Sequence, residues 1–394
     1  MTDAEIPATV AALFTREEID TLVALRRDLH RHPELSWQEH ATSDRLAATL
    51  AAAGIGDVRR VAGTGLVARI RGKNAGRLVA VRGDIDALPI EEATGLPYSS
   101  EVPGVMHACG HDIHATWAIG AALLLARSPA AGDVLVVLQP AEEIGEGARA
   151  ILDSGALDGV SAIFGAHVDR RFTVGQVVAD AGPLAASADT FEIVLTGKGA
   201  HGARPQESAD PVVGAAALIG ALQTIVSRRL APAAPGVVTV GTIHAGTAPN
   251  IIPESATLSG TVRATDPESR ALLLGEVQRL AHSVADSYRL QATVTMRDGT
   301  PPLVNPTDAA GWARTAVTRV LGPDAAVPLG TTNMGGEDFA CYLERIPGAF
   351  LRVGAREPGG ERWAAHSPRF HAAEASIFVG AAVLAESARI AASA

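Results

Sequence analysis

"GDVLVVLQPAEE" (132–143) decides how this chain folds. Val134 to Leu138 are aliphatic without a polar interruption, and Pro140 ends the run just before two glutamates. A strand that is apolar on both faces must be covered on both faces, which is the situation of a strand inside a parallel sheet. "RLVAVRGDID" (77–86) and "GVSAIFGAHVD" (159–169) read the same way. Helical periodicity marks "REEIDTLVALRRDLHRH" (16–32), "QEHATSDRLAATLAAAG" (38–54), which closes on Gly54, and "HDIHATWAIGAALLLAR" (111–127). Buried strands separated by helices predict an α/β domain with a mostly parallel sheet and helices on both faces.

The pattern changes between residues 185 and 298. "ADTFEIVLTGKG" (188–199) alternates like a half-exposed strand, and "DPVVGAAALIGALQTIVSRR" (210–229) is a helix with Asp210 as N-cap and Pro211 at its first position. "GVVTVGTIHAG" (236–246) and "ATLSGTVRATD" (256–266) are strands able to pair. "DPESRALLLGEVQRLAHSVADSY" (266–288) is a second Asp-Pro helix, and "LQATVTMRD" (290–298) a last strand. The order β-α-β-β-α-β is the split βαβ, ferredoxin-like pattern of an α+β unit. The expected organisation is a larger α/β domain, 1–184 and 299–394, interrupted by a smaller one, 185–298. Beyond it, "TAVTRVL" (315–321) and "ASIFVGAAVLAESARIAASA" (375–394) return to the larger domain as helices.

A formal net charge of −10 argues against nucleic acid, which wants a basic face. Two cysteines, Cys109 and Cys341, make no disulfide framework. The N-terminal "MTDAEIPATVAALFTREEID" (1–20) has no continuous apolar core of a secretory signal. The apolar run 115–126 is shorter than the roughly 20 residues a bilayer requires. The expectation is a cytoplasmic protein with no membrane partner.

The chemistry gathers where the apolar strands stop. The first ends in Asp84 and Asp86, the second in Glu142 and Glu143, the third in His167. Ligands of open parallel sheets bind outside the carboxyl ends of the strands. The helix of "MHACGHDIHAT" (106–116), with Cys109, His111 and His114, starts in the crossover between the first two strands and reaches the same edge. Thiolate, imidazole and carboxylate together suit zinc, and also manganese or cobalt. Taken singly, each motif has an ordinary reading: a buried cysteine, a solvated acidic turn, a capping aspartate after a strand.

Eight segments, in order, resemble the metal-dependent amidohydrolases that include hippurate hydrolases, bacterial N-acyl-amino-acid amidohydrolases and plant hydrolases of indole-acetyl amino acid conjugates. They are "RGDIDALPI" (82–90), "MHACGHDIH" (106–114), "QPAEE" (139–143), "GAHV" (165–168), "GKGAHGARP" (197–205), "GTAPNIIPESATLSGTVR" (246–263), "GGEDFA" (335–340) and "HSPRF" (366–370). The resemblance implies Cys109, His111, Glu143, His167 and His366 as ligands of two divalent metals, zinc or manganese, with cobalt or nickel as other candidates. It implies Glu142 as general base and acid, and Asp86 as a carboxylate supporting the ligands. It also implies His201 as a carbonyl-polarising histidine, Asn250 and Arg263 as substrate-binding residues, and the inserted domain as lid and dimerisation unit of a homodimer. The implied substrate is a small N-acyl amino acid. A dipeptidase or aminopeptidase on the same scaffold is one alternative, and a non-catalytic metal- or amino-acid-binding relative is another. Asp84, His114 and Glu337 are left without a fixed role; His107, Asp112, His30, His32, His40, His244, His282 and His371 read as structural, and Cys341 as a small core residue. "VDRRFTVG" (168–175) and "HAAEAS" (371–376) depart from the family's usual composition beside two of the implied ligands, and bear on substrate preference.

Overall fold

The computed structural model describes residues 5–394. In chain order the principal elements are α1 (Arg16–Arg31), α2 (His40–Ala52), β1 (Val58–Val61), β2 (Gly65–Ile70), β3 (Val79–Asp84), α3 (His111–Arg127), β4 (Val134–Gln139), β5 (Ala162–Thr173) and β6 (Val177–Val178). There follow β7 (Ala188–Thr196), α4 (Pro211–Thr224), β8 (Gly236–Ala245), β9 (Ser255–Ala264), α5 (Pro267–Ser287) and β10 (Gln291–Thr300). The chain closes with α6 (Thr307–Leu321), β11 (Gly348–Arg356) and α7 (Ala375–Ser393).

These elements divide into two compact units. The larger comprises the chain up to Gly182, with Asn305–Gly330 and Cys341–Ala394. Its sheet has the order β1-β2-β4-β3-β5-β11-β6. The four central strands, β4, β3, β5 and β11, are mutually parallel, whereas β1, β2 and β6 join antiparallel. Apolar runs mark β3, β4 and β5, but not β11, "GAFLRVGAR", nor the β1–β2 pair. Arg59, Arg60, Arg69 and Arg352 interrupt the apolar runs there; at the edge strand β1, exposed arginines discourage pairing with another chain. The chain leaves β3 toward β4 on one side and then returns to β5 on the other. The carboxyl ends of β3 and β5 therefore flank a topological switch point, where a crevice opens.

Every side chain of β4 is buried, as its composition requires. α1 starts on a capping box, Thr15 Oγ1 accepting from Glu18 N–H while the Glu18 carboxylate accepts from Thr15 N–H. α3 and α7 are apolar nearly all round and pack against each other in the core. Their approach is so close that a Cβ at Gly380 would lie 2.2 Å from Trp117 Cε3. Trp117 in turn stacks on His114, ring centroids 4.4 Å apart, so this glycine contact helps aim the first turn of α3. α7 has the length and apolarity of a membrane span, but 83% of that window is buried within the protein, as befits a core helix.

The smaller unit is Pro183–Val304 with Thr331–Ala340. Its antiparallel sheet has the order β8-β9-β7-β10, with α4 and α5 making the two crossovers of the split βαβ pattern. Both helices start as their Asp-Pro sequences imply: Asp210 accepts from Val212 and Val213 N–H, and Asp266 from Ser269 N–H. Residues 183–184 and 299–304, expected in the larger domain, fall in the smaller unit. Residues 331–340, placed in the larger domain by sequence position, group with the smaller unit. The reason is backbone pairing, since Ala186 N–H donates to Asn333 O at 3.0 Å and Asn333 N–H to Leu184 O at 3.2 Å. Short-range sequence pattern carries no sign of such a long-range pairing.

Asp112, expected to be structural, has a large structural task. It is buried, with Oδ2 2.8 Å from both Arg26 Nε and His30 Nδ1. Burial opposes ionisation of Asp112, but Arg26 and His30 override it and hold its pKa far below the ordinary value. A depressed carboxylate contributes stability above its unfolded pKa, near 3.9, and loses it as pH falls through the folded value. Asp112→Ala should destabilise the chelator-treated protein by about 3–5 kcal/mol near neutral pH, because it breaks a buried ion pair and leaves, as acidic partners, only Glu374 at 3.7 Å for Arg26 and Glu92 at 3.3 Å for His30. Urea unfolding should show this deficit narrowing on acidification below about pH 4.

Candidate active site

The site grows from the ends of β3, β4 and β5 and the start of α3. Gly110 caps α3 at φ +92°, a left-handed conformation that glycine adopts without a Cβ penalty. This turn sends Cys109 and His111 to the same edge. After β4, Ala141 takes φ +52° and turns the chain so that Glu142 and Glu143 follow at the strand end. β5 carries His167 directly. His366 arrives on a separate segment, at φ +67°, anchored by its own N–H donating to Ala108 O at 2.8 Å.

Asp86 organises these arrivals. Its Oδ1 accepts from His111 Nδ1 at 3.0 Å, while Oδ2 accepts from Ser36 Oγ at 2.8 Å and from Glu143 N–H at 3.0 Å. With Nδ1–H committed, the lone pair of His111 must lie on Nε2. That Nε2 is buried without a hydrogen bond, and so is Glu143 Oε1, 3.7 Å away. His111 Nε2 also stands 3.8 Å from Glu142 Oε2 and 3.8 Å from Asp84 Oδ2. His167 donates Nδ1–H to Val168 O at 2.7 Å, which puts its lone pair on Nε2, 3.2 Å from Cys109 Sγ. His366 Nε2 lies 3.3 Å from Glu143 Oε2.

Three of these groupings, Cys109–His111–His167, Cys109–Glu143–His366 and His111–Glu142–Glu143, bring their donor atoms within 4.8 Å of one another. Donors around a tetrahedral ion with bonds of about 2.0–2.3 Å stand roughly 3.3–3.8 Å apart. The observed spacings match, and two facing, buried, unpaired atoms have the chemistry of ligands. The residues therefore fit divalent cations of the zinc or manganese type.

The electrostatics agree. Burial, with Glu143 beside it, pushes the Cys109 thiol well above its ordinary pKa. Burial works against a charged His111, but Asp84 and the hydrogen bond to Asp86 override it and raise its pKa well above normal. Burial, reinforced by His114 and Arg352, keeps His167 well below the usual imidazole range and therefore neutral, the ligating form. A bound cation would draw protons off Cys109 and His111.

Asp84 and His114 form a supporting pair. Asp84 accepts from Arg82 and, at 2.6 Å, from His114 Nδ1; His114 Nε2 accepts from Val168 N–H at 3.0 Å. His114 is thus held neutral behind His167. Ser36 and Arg352 were not singled out from sequence. Nothing around Ser36 signals its place, whereas Arg352 could have been noticed as a lone cation within the apolar run of 348–355. Cys341 is a buried core residue, as expected.

The smaller unit brings together two of its three implied residues. His201 ends a short strand (Ala200–His201) that pairs with Ile251–Ile252, and Gly202 N–H donates to Asn250 O at 2.8 Å. His201 is exposed, its Nδ1 accepting from Ala203 N–H at 3.0 Å. Arg263 lies on β9, opposite Val237 of β8. Glu337 caps the following turn, accepting from Phe339 N–H at 3.1 Å.

A two-unit α/β chain with thiolate, imidazole and carboxylate donors at the switch point is the framework of a metal-dependent hydrolase. Residues 80–389 match peptidase family M20/M25/M40, and the chain belongs to that family. It is 42% identical over 373 residues to the N-acetylcysteine deacetylase of Bacillus subtilis (strain 168), covering 94% of this chain and 96% of the relative. It is 38% identical to the IAA-amino acid hydrolase ILR1-like 2 of Arabidopsis thaliana, covering 94% and 85% of the two chains. Among solved structures, a Bacillus subtilis protein described as a dinuclear metal binding peptidase from the M20 family superposes with TM-score 0.85. That pair is 38% identical, covering 96% of this chain and 99% of the other.

Because Asp86 fixes the His111 tautomer and positions Glu143, Asp86→Ala should weaken metal binding by about 10–100-fold. Competition with a chromophoric chelator measures this directly, and Ser36→Ala, which removes one donor to Asp86, should cost less.

Proposed function

We infer that this protein hydrolyses the amide bond of N-acyl amino acids, with two divalent ions held by Cys109, His111, Glu143, His167 and His366. The observation that carries the reading is the unequal placement of two adjacent glutamates. Glu143 faces His111 and His366, with one oxygen buried and unpaired, while Glu142 holds its Oε2 3.8 Å from His111 Nε2. A binding protein has no need of the second carboxylate. The relatives support the substrate class, one acting on N-acetylcysteine and one on indole-acetyl conjugates by their names.

The ions would supply Lewis-acid activation of water and of the amide carbonyl. Glu142 takes the proton from the attacking water and hands it to the leaving amine nitrogen. His201 donates a hydrogen bond to the carbonyl oxygen as negative charge develops there. Asn250 and Arg263 hold the α-carboxylate, Arg263 through the paired donors of its guanidinium. Asp86 moves no proton in this scheme; it keeps His111 in the ligating tautomer.

The smaller unit, in this reading, is both lid and dimerisation surface. What supports dimerisation is its unpartnered apolar surface: Val212 and Val213 on α4 are 43% and 50% exposed, and Ile243 on β8, the edge strand, is 47% exposed. A second copy covering them would remove both an apolar face and an open strand edge from water. The substrate is a small molecule, and the acidic chain suits neither nucleic acid nor an anionic membrane; a cytoplasmic location is part of this reading. A peptidase acting on a free α-amino group is the second reading, favoured by the description of the solved relative.

Chelator-stripped protein should be inactive and regain hydrolysis of N-acetyl amino acids with zinc, manganese or cobalt. A matched assay on a dipeptide and its N-acetyl form decides between the two readings. Glu142→Gln should keep its metal content but lose kcat by about 100-fold or more. Val213→Glu and Ile243→Glu together should shift the protein to monomer in light scattering; an unchanged mass removes that surface from the interface.

A further inference from the structure

Arg352 has no part in the mechanism above. It lies on β11 in register with His167 of β5, and the two strands are parallel. In-register neighbours in a parallel pair send their side chains to the same face. The guanidinium therefore shares a face with a residue of the metal cluster. Arg352 is only 6% exposed and its Nε is buried without a partner. Among the described residues none of its nitrogens makes a hydrogen bond or an ion pair; the ring of Phe350, 5.4 Å away, is its one aromatic neighbour.

The other buried arginines of the larger unit are compensated. Arg82 meets Asp84 and Gln139, Arg26 meets Asp112, and Arg170 donates to the carbonyls of Ala355, Glu361 and His371. A guanidinium so deeply buried is costly unless an anion joins it. A carboxylate fits its two parallel donors best. The α-carboxylate of the substrate is already allotted to Asn250 and Arg263, so Arg352 calls for another.

We propose that Arg352 is a specificity residue that receives a second carboxylate, and that the preferred substrates are N-acyl amino acids carrying two carboxylates. This rests on the N-acyl amino acid reading. The second carboxylate belongs either to an acidic amino acid side chain or to a dicarboxylic acyl group, the shared chemistry being a carboxylate beside the metal cluster.

Two measurements on the zinc-loaded full chain test this. In calorimetry, wild type should bind glutarate about tenfold or more tighter than butyrate. Arg352→Met should lose that advantage and Arg352→Lys keep part of it. In kinetics, wild type should show at least tenfold higher kcat/KM on N-acetyl-L-glutamate or N-succinyl-L-leucine than on N-acetyl-L-leucine. The ratio should collapse in Arg352→Met mainly through KM, and the favoured diacid identifies which end carries the second carboxylate. Glutarate binding equal in wild type and Arg352→Met, or a wild type that favours neither diacid, overturns the proposal. Glutarate binding through Arg352 in a wild type that hydrolyses no N-acyl amino acid keeps the anion site and defeats the substrate reading instead.

Discussion

The carboxylate of Asp86 is shared among three stretches of chain far apart in sequence, and the geometry of the metal cluster follows from that sharing. His111 Nδ1, the Ser36 hydroxyl and the Glu143 amide all donate to it. A buried carboxylate with three donors is satisfied as an anion, and burial is overridden so that its pKa stays below the ordinary value. The arrangement has two consequences. The His111 lone pair is forced onto Nε2, and the backbone entering Glu143 is held at the distance from which its side chain faces that lone pair.

Around Asp86 the larger unit gathers groups that repel one another when ionised. Cys109, Asp84, Glu142 and Glu143 approach His111 and His167 in a space from which water is largely excluded. Arg82 neutralises Asp84, but Glu143 Oε1 and His111 Nε2, 3.7 Å apart, are buried without a hydrogen bond. The cluster stays assembled because its frame is stiff and apolar: β4 is buried throughout, and Gly380 lets Trp117 lie against α7 while it stacks on His114. Local imbalance of this kind, tolerated by a consistent fold around it, is what a functional site looks like in energetic terms. Divalent cations would relieve the imbalance and make the same groups ligands.

Much of the site was legible because each contributing segment carries its own signal. An apolar strand that runs into Asp84 and Asp86, or into Glu142 and Glu143, announces a polar edge, and Cys109 with His111 at a helix start announces donors. His366 was legible only by resemblance to a family, since its loop has no periodic context. Ser36 was not legible at all: a serine reaching an aspartate fifty residues away leaves no local trace. Asp112 was legible only as a structural residue, because its partners Arg26 and His30 come from another helix.

By itself the sequence determined the elements whose causes are local: runs of aliphatic residues that demand cover on both faces, Asp-Pro helix starts, and the β-α-β-β-α-β order of the smaller unit. Only the tertiary structure decided which strands are neighbours, and with them the place of β11, whose arginine disguises it as something other than a central strand. It also decided that residues 331–340 pair with the smaller unit, and that Arg352 stands beside His167 with no counter-charge. The physical reason is the same in each case. Backbone pairing and buried charge compensation are settled between segments far apart in sequence or by strand register, and neither leaves a periodicity that local sequence can express.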